Sequence, residues 1–198
     1  MLCVLAYLLG TFPSAELVAR AAGIDVRAAG SGNPGASNVT RLLGWRAGLV
    51  VLAADFAKGS IAAGVGLALD GRRGAYILGA AAIIGHVYPV MRRFKGGKGM
   101  ATAGGVLLVV FPLVCVTAGV VWVLLARVAH KASIASIAAA LLVPVGVVVV
   151  GGALGDVLVI AALAVLVLAR HAPNIKRLVR GEEHGLAPGT DGQPQPER

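Results

Sequence analysis

The chain has 198 residues, 58% of them hydrophobic and only 14% charged, yet Lys and Arg number 18 against 9 acidic residues, a formal net charge of +9. A soluble domain is usually about 25% charged, so this composition excludes a disordered polyelectrolyte and argues against a soluble nucleic-acid binder. A basic integral membrane protein is the class that remains, with a mean hydropathy of +0.85.

A spanning helix needs about 20 mainly apolar residues. Stretches of that kind run over 2–20, 46–69, 74–90, 101–129, 133–150 and 154–170. The first is not expected to be a cleaved leader, because its basic residues Arg20 and Arg27 follow the apolar run instead of preceding it. The fourth is too long for one span and too short for two, and Pro112 lies inside it. Proline removes a backbone donor and clashes with the preceding turn. The stretch is therefore split into a short helix at 101–111 and a longer one at 113–129. The short one reaches about 16 Å, half the hydrocarbon core, so it must start from a loop that dips into the protein.

The predicted fold is all-α, a polytopic membrane bundle of seven helices, one of them short. Seven crossings place most of the Lys and Arg on one side, in residues 21–45, 91–100, 130–132 and the segment after 170, and leave Arg72 and Arg73 on the other. Positive loops stay cytoplasmic, so the N-terminus is predicted outside and the C-terminus inside. Residues 1–180 form one membrane domain, and 181–198, rich in Gly, Pro, Glu and Gln, read as a disordered cytoplasmic tail. Cys3 and Cys115 sit alone in apolar runs and form neither a disulfide framework nor a zinc site.

Four polar constellations interrupt the apolar runs. Residues 30–41, GSGNPGASNVTR, combine small residues that let backbone approach a ligand, hydroxyl and amide donors, and Arg41, a bidentate cation. Residues 94–102, FKGGKGMAT, form a glycine loop feeding the short helix, where free N–H groups and the positive dipole end make an anion site. It lacks Walker A spacing. Ser133 and Ser136 open the next-to-last helix, and each alone reads as an N-cap. Residues 170–177, RHAPNIKR, leave the last helix as a basic segment with His171 and Asn174 at i, i+3. Within the spans, Asp55 and Lys58 can pair at i, i+3, Glu16 and Arg20 at i, i+4, and His86 lies within reach of the polar face. Anion-binding loops on one face above an apolar bundle fit a substrate with phosphate at one end and lipid at the other.

These runs, with DFAKG (55–59), GHVYP (85–89), SIASI (133–137) and RHAPNIKRL (170–178), occur in the order and spacing of one family. Over residues 1–183 the chain resembles the bacterial membrane acyl-phosphate:glycerol-3-phosphate acyltransferases, the PlsY type. The resemblance implies an inner-membrane enzyme with its site on the cytoplasmic side. It would move a fatty acyl group from acyl phosphate to the 1-hydroxyl of sn-glycerol 3-phosphate, without a cofactor or metal. A soluble phosphate acyltransferase that makes the donor is the partner implied.

By the same resemblance, Ser31, Gly32, Asn33 and Gly35 lie at the acyl phosphate, with Asn38 in the same motif. Arg41 and Lys98, with Gly96 and Gly97, bind substrate phosphate, and Ser133, His171 and Asn174 complete the glycerol-phosphate site. The catalytic group is then Ser31, Lys98 and His171; apart from the resemblance, Asp55, Lys58 and His86 are candidates for support, with a structural ion pair an equal reading of Asp55 and Lys58. Three departures from the family pattern stand out: Ser37 in place of Thr, His130-Lys131-Ala132 ahead of Ser133, and Ala172-Pro173 in place of a charged pair. Two rivals are a transporter for phosphate compounds and an acyltransferase with thioester donors. The latter commonly carries an HxxxxD pair, which none of the four histidines here provides.

Overall fold

The structure, a computed structural model, describes residues 1–186. Every regular element among them is helical: α1 (Leu2–Gly10), α2 (Ser14–Ala21), α3 (Ala36–Leu43), α4 (Trp45–Val87), α5 (Met100–Val110), α6 (Pro112–Ala129), α7 (Ala132–Val149), α8 (Leu154–Arg170) and α9 (Ala172–Val179). By length and composition, Leu2–Ala21, Trp45–Arg92, Pro112–Ala129 and Ala132–Val149 can cross a membrane, and α8 with α9 forms a further pair bent by 54°.

The α4 helix is two helices in one run. Asp70 and Gly71 leave helical geometry, and a Cβ on Gly66 would lie 2.2 Å from the Gly74 carbonyl oxygen. Eight residues along an unbroken helix would separate them by about 12 Å. Residues 45–69 and 72–87 therefore fold back on each other, as the separate stretches 46–69 and 74–90 predicted. Pro112 acts as expected: α5 ends before it, and α6 takes it into its first turn, where its missing N–H costs no bond.

The first predicted span is not continuous. It breaks at Thr11–Pro13, where Pro13 cannot donate to the helix ladder. The carbonyls freed there are taken by cations from elsewhere. Lys58 Nζ donates to Gly10 O at 3.3 Å and Phe12 O at 3.0 Å, and the Arg92 guanidinium donates to Thr11 O. The same ammonium lies 2.7 Å from Asp55 Oδ1 and 3.2 Å from His86 Nδ1, while Ser14 Oγ donates to Asp55. The buried Asp55–Lys58 pair thus seals a broken helix onto both arms of α4.

Helices meet through glycine. A Cβ on Gly59 would stand 2.0 Å from Thr102 O, and one on Gly10 would stand 2.1 Å from Ala82 O, so α4 touches α5 and α1 backbone to backbone. Small residues at such contacts are the usual device for helix association in lipid. Ile83, Val87, Val106, Leu107 and Ile160 fill the core between α4, α5 and α8. At the end remote from the polar loops, Asp156 accepts the Ala153 N–H (3.1 Å), the Tyr76 hydroxyl (2.7 Å) and Arg72 Nη1 (2.7 Å), and Arg72 stacks over Phe111 at 5.1 Å. This clasp ties the α4 turn, the α5–α6 break and the start of α8.

Other expectations are corrected. Glu16 pairs with Arg27 at 2.9 Å and Arg92 at 3.5 Å, not with Arg20, because α2 turns it toward the loops. Neither serine caps α7: the cap position is Lys131, Ser133 lies within the first turn, and Ser136 accepts a hydrogen bond from Trp122 Nε1 at 2.9 Å. Part of the 30–41 motif is the helix α3. Residues 181–186, assigned above to a disordered tail, fold back onto the bundle with Glu183 buried. The rest of that expected tail, 187–198, lies outside the described residues.

Candidate active site

One cavity of about 1020 Å³ opens among α3, α4, α5, α6, α7 and α8. One part of its wall is apolar, with Leu52, Phe56, Leu107, Trp122, Val143 and Leu163. The polar part brings together most of the residues singled out in the sequence. Ser31, Asn33, Gly35, Asn38 and Arg41 come from the first motif, and Lys98 from the second. Ser133, His171 and Asn174 come from the third and fourth, and Asp55 and His86 also reach the wall.

Gly32, Gly96, Gly97 and Lys58 do not line this cavity. The two glycines of the second loop donate their N–H groups to carbonyls at the end of α4, Gly96 to Val87 O and Gly97 to His86 O, both at 3.1 Å. A Cβ on Gly97 would meet His86 Nε2 at 2.2 Å. These glycines let the loop lie against α4 instead of cradling a ligand. Gly99, with φ +85°, then turns the chain into α5. The anion-binding potential passes to Lys98 and to the N–H groups of the first turn of α5, which have no intrahelical acceptor.

The first motif is organised by one amide. Asn38 is buried, and its Nδ2 donates to Val26 O (3.0 Å) and Ala29 O (3.1 Å). Its Oδ1 accepts the Ser31 N–H at 2.9 Å and Arg41 Nη1 at 3.2 Å. The N–H groups of Gly32 and Gly35 bond within the loop, to Ala29 O and Asn33 O. The Ser31 backbone donor is therefore occupied, and its hydroxyl and the first turn of α3 are what the motif can offer an anion. Arg41 Nε donates to Gly185 O at 2.8 Å, which places the guanidinium at the rim.

Many of the remaining cations are structural. Arg27 donates to Lys95 O at 2.6 Å, and Arg170 donates to Gly96 O at 3.3 Å while lying 5.5 Å over the Tyr88 ring. These arginines staple the two loops and the end of α8 into one platform.

Lys98 is half-buried. Burial pushes its ammonium down to about 8, with Arg177, Arg41 and Arg170 acting in the same direction against the pull of Glu183. His171, at the junction of α8 and α9, sets its Nδ1 2.8 Å from Val167 O. A carbonyl only accepts, so Nδ1 carries the proton, and Nε2 is the ring nitrogen left for the cavity. The Ala172-Pro173 departure does not disturb this junction, because Pro173 occupies the first turn of α9.

His86 differs. Its Nδ1 lies 3.2 Å from Lys58 Nζ, so that nitrogen belongs to the seal beneath the loop. The sequence reading missed Glu183, which lines the cavity and sits 2.6 Å from Asn174 Nδ2 and 2.9 Å from Arg177 Nε. Burial opposes its charge, but the Asn174 amide, the Ser133 hydroxyl and Arg177 hold the carboxyl below its usual range.

With this geometry in view, the similarities are specific. The family model described as glycerol-3-phosphate acyltransferase matches residues 1–181. A glycerol-3-phosphate acyltransferase of Aquifex aeolicus is 39% identical over 186 residues, 92% of this chain and 96% of that protein. One from Bacillus subtilis is 37% identical over 187 residues, 92% and 95% of the two chains. The crystal structure of PlsY (YgiH), an integral membrane glycerol 3-phosphate acyltransferase, in its glycerol 3-phosphate form superimposes with a TM-score of 0.88 at 39% identity, covering 93% of each chain. Its lysophosphatidic acid form gives 0.86 at 38% identity with the same coverage. The chain belongs to the glycerol-3-phosphate acyltransferase family.

Proposed function

We propose that this protein transfers a fatty acyl group from acyl phosphate to the 1-hydroxyl of sn-glycerol 3-phosphate, releasing lysophosphatidic acid and phosphate for phospholipid synthesis. The observation that carries the reading is one cavity that is cationic and hydroxyl-lined in one part and apolar in another. The acyl chain occupies the apolar part. The two phosphates face Ser31, Arg41, Lys98 and the first turns of α3 and α5, with Asn33 and Gly35 alongside. Ser133, His171 and Asn174 hold the glycerol.

An acyl phosphate is already activated, so positioning and charge stabilisation supply the catalysis. The glycerol oxygen attacks the acyl carbon, the bond from that carbon to the phosphate oxygen breaks, and phosphate leaves. The proton passes to His171 Nε2 or to a phosphate oxygen. No acyl-enzyme forms. The chain crosses the bacterial inner membrane seven times, N-terminus outside, with the cavity mouth on the cytoplasmic side. A soluble phosphate acyltransferase supplies the donor.

A transporter needs a path through the molecule, whereas here the anion groups gather at one end and the Asp156 clasp binds helices together at the other. Purified protein given acyl phosphate and labelled glycerol 3-phosphate should form labelled lysophosphatidic acid, with no acyl-serine trapped on the protein. Turnover with acyl thioesters only, or none, overturns the reading, and a covalent acyl-Ser31 overturns direct transfer.

A further inference from the structure

The segment that returns from α9 carries a carboxylate into the cavity wall, and nothing in the reaction just described uses it. The segment is fixed at several points. The Glu182 N–H donates to Arg177 O at 2.8 Å, the Leu186 N–H to His130 O at 2.9 Å, and Gly185 O accepts from Arg41. Between these ties, Glu183 is buried with both oxygens engaged: Oε1 by Asn174 Nδ2 at 2.6 Å, and Oε2 by Arg177 Nε at 2.9 Å.

The chemistry of that contact decides which way Asn174 faces. An ionised carboxylate has no proton to give, so the nitrogen of the Asn174 amide must point to it. The amide oxygen then points elsewhere. It is buried and has no hydrogen-bond partner, while the Ser133 hydroxyl turns its proton to the Glu183 carboxylate and keeps its oxygen lone pairs. Buried oxygens without partners are rare, because each forgoes the hydrogen bonds that water would supply. Both residues line the cavity beside His171, whose Nδ1 is committed to Val167 O.

The cavity is therefore divided by hydrogen-bond sense. Arg41, Lys98 and the helix N-termini offer donors, which suit phosphate oxygens. Asn174 Oδ1 and His171 Nε2 offer acceptors and Ser133 Oγ can serve as one, which suits the O–H groups of a polyol.

We infer that Glu183 is a positioning residue: by holding Asn174 nitrogen-inward to itself, it turns Asn174 Oδ1 toward the cavity as an acceptor for a glycerol hydroxyl, so that the acceptor substrate is chosen for its free hydroxyls and not for phosphate alone. This rests on the glycerol 3-phosphate reading above.

Replacing Glu183 by Gln keeps the shape but supplies an N–H donor. The Asn174 amide can then turn over, giving its oxygen to Gln and showing N–H to the cavity. Adding Asn174→Asp reverses the logic. The new carboxylate takes the Gln donor with one oxygen and leaves the other as an acceptor, and the pair's total charge is unchanged.

The test measures KM for glycerol 3-phosphate, KM for acyl phosphate, and binding of inorganic phosphate to the purified full-length protein. E183Q should raise the glycerol 3-phosphate KM about tenfold or more, the scale of one lost buried hydrogen bond, with donor KM and phosphate binding little changed. The N174D/E183Q double variant should recover most of that loss, which a merely structural role for Glu183 would not produce. An unmoved KM in E183Q, an absent rescue, or phosphate binding that weakens in parallel with KM overturns the inference. A wild-type protein that does not acylate glycerol 3-phosphate overturns the functional reading instead, so the two failures are distinct.

Discussion

At the scale of single residues, Lys98 is a cation whose charge depends on its surroundings. An ordinary lysine stays charged to about pH 10.4, whereas burial sets this one at about 8. The ammonium is the form that attracts phosphate, so the free protein loses this attraction as pH rises through about 8 and keeps it below. We expect kcat/KM for glycerol 3-phosphate to fall toward tenfold per pH unit above about 8. In Lys98→Arg that alkaline limb should move beyond the accessible range, because guanidinium stays charged. An unshifted limb in the variant would assign it to another group. Lys98 and Arg41 stood out in the sequence because cations beside glycine loops are unusual in an apolar chain, whereas Ser133, His171 and Asn174 were singled out as site residues by the family resemblance. Glu183 was not: it follows the basic run 170–180 in a stretch whose Gly and Pro content reads as a tail. The signal present was two acidic residues, Glu182 and Glu183, directly after a run of cations with which they can pair.

At the scale of elements, proline and glycine carried most of the information. Pro112 gave the α5–α6 break within a residue. Pro13 carries the same signal, but the apolar run around it hid the break, since hydropathy is blind to a missing backbone donor. The helix α3 was read as loop because its glycine-rich approach and polar composition lack an apolar period. Contacts between helices depend on small residues whose partners are distant in sequence, so they were not legible. Gly59 tests that layer. Its Cβ position is blocked by Thr102 backbone, while Gly64 in the same helix faces open space. Gly59→Ala should destabilise the protein by about 1–3 kcal/mol through overpacking. Gly64→Ala should be neutral or gain up to about 1 kcal/mol from helix propensity. Thermal unfolding in detergent reads both, and equal behaviour of the two variants would contradict the α4–α5 contact.

At the scale of the molecule, the charge asymmetry of the loops carried the predicted orientation, and it is open to a direct check. In a variant lacking Cys3 and Cys115, a cysteine at Arg73 should react with an impermeant maleimide from outside the cell. One at Lys176 should react only in inverted vesicles. The opposite pattern would reverse the proposed topology. The half-length α5 has a consequence for how such an enzyme meets its lipids. It rises about 16 Å from Met100 to Val110, against a hydrocarbon core of about 30 Å, and Phe111, the next residue, lies under Arg72 at the far end. The reacting groups are therefore expected to meet below the level of the headgroups. On that expectation a fatty chain would enter and leave sideways, within the leaflet, without being lifted into water at about 0.8 kcal/mol per methylene. Only the small charged compounds trade places with solvent. The donor concentration to which the turnover responds is then a mole fraction in the bilayer, so dilution of the surrounding aqueous phase should leave it unchanged.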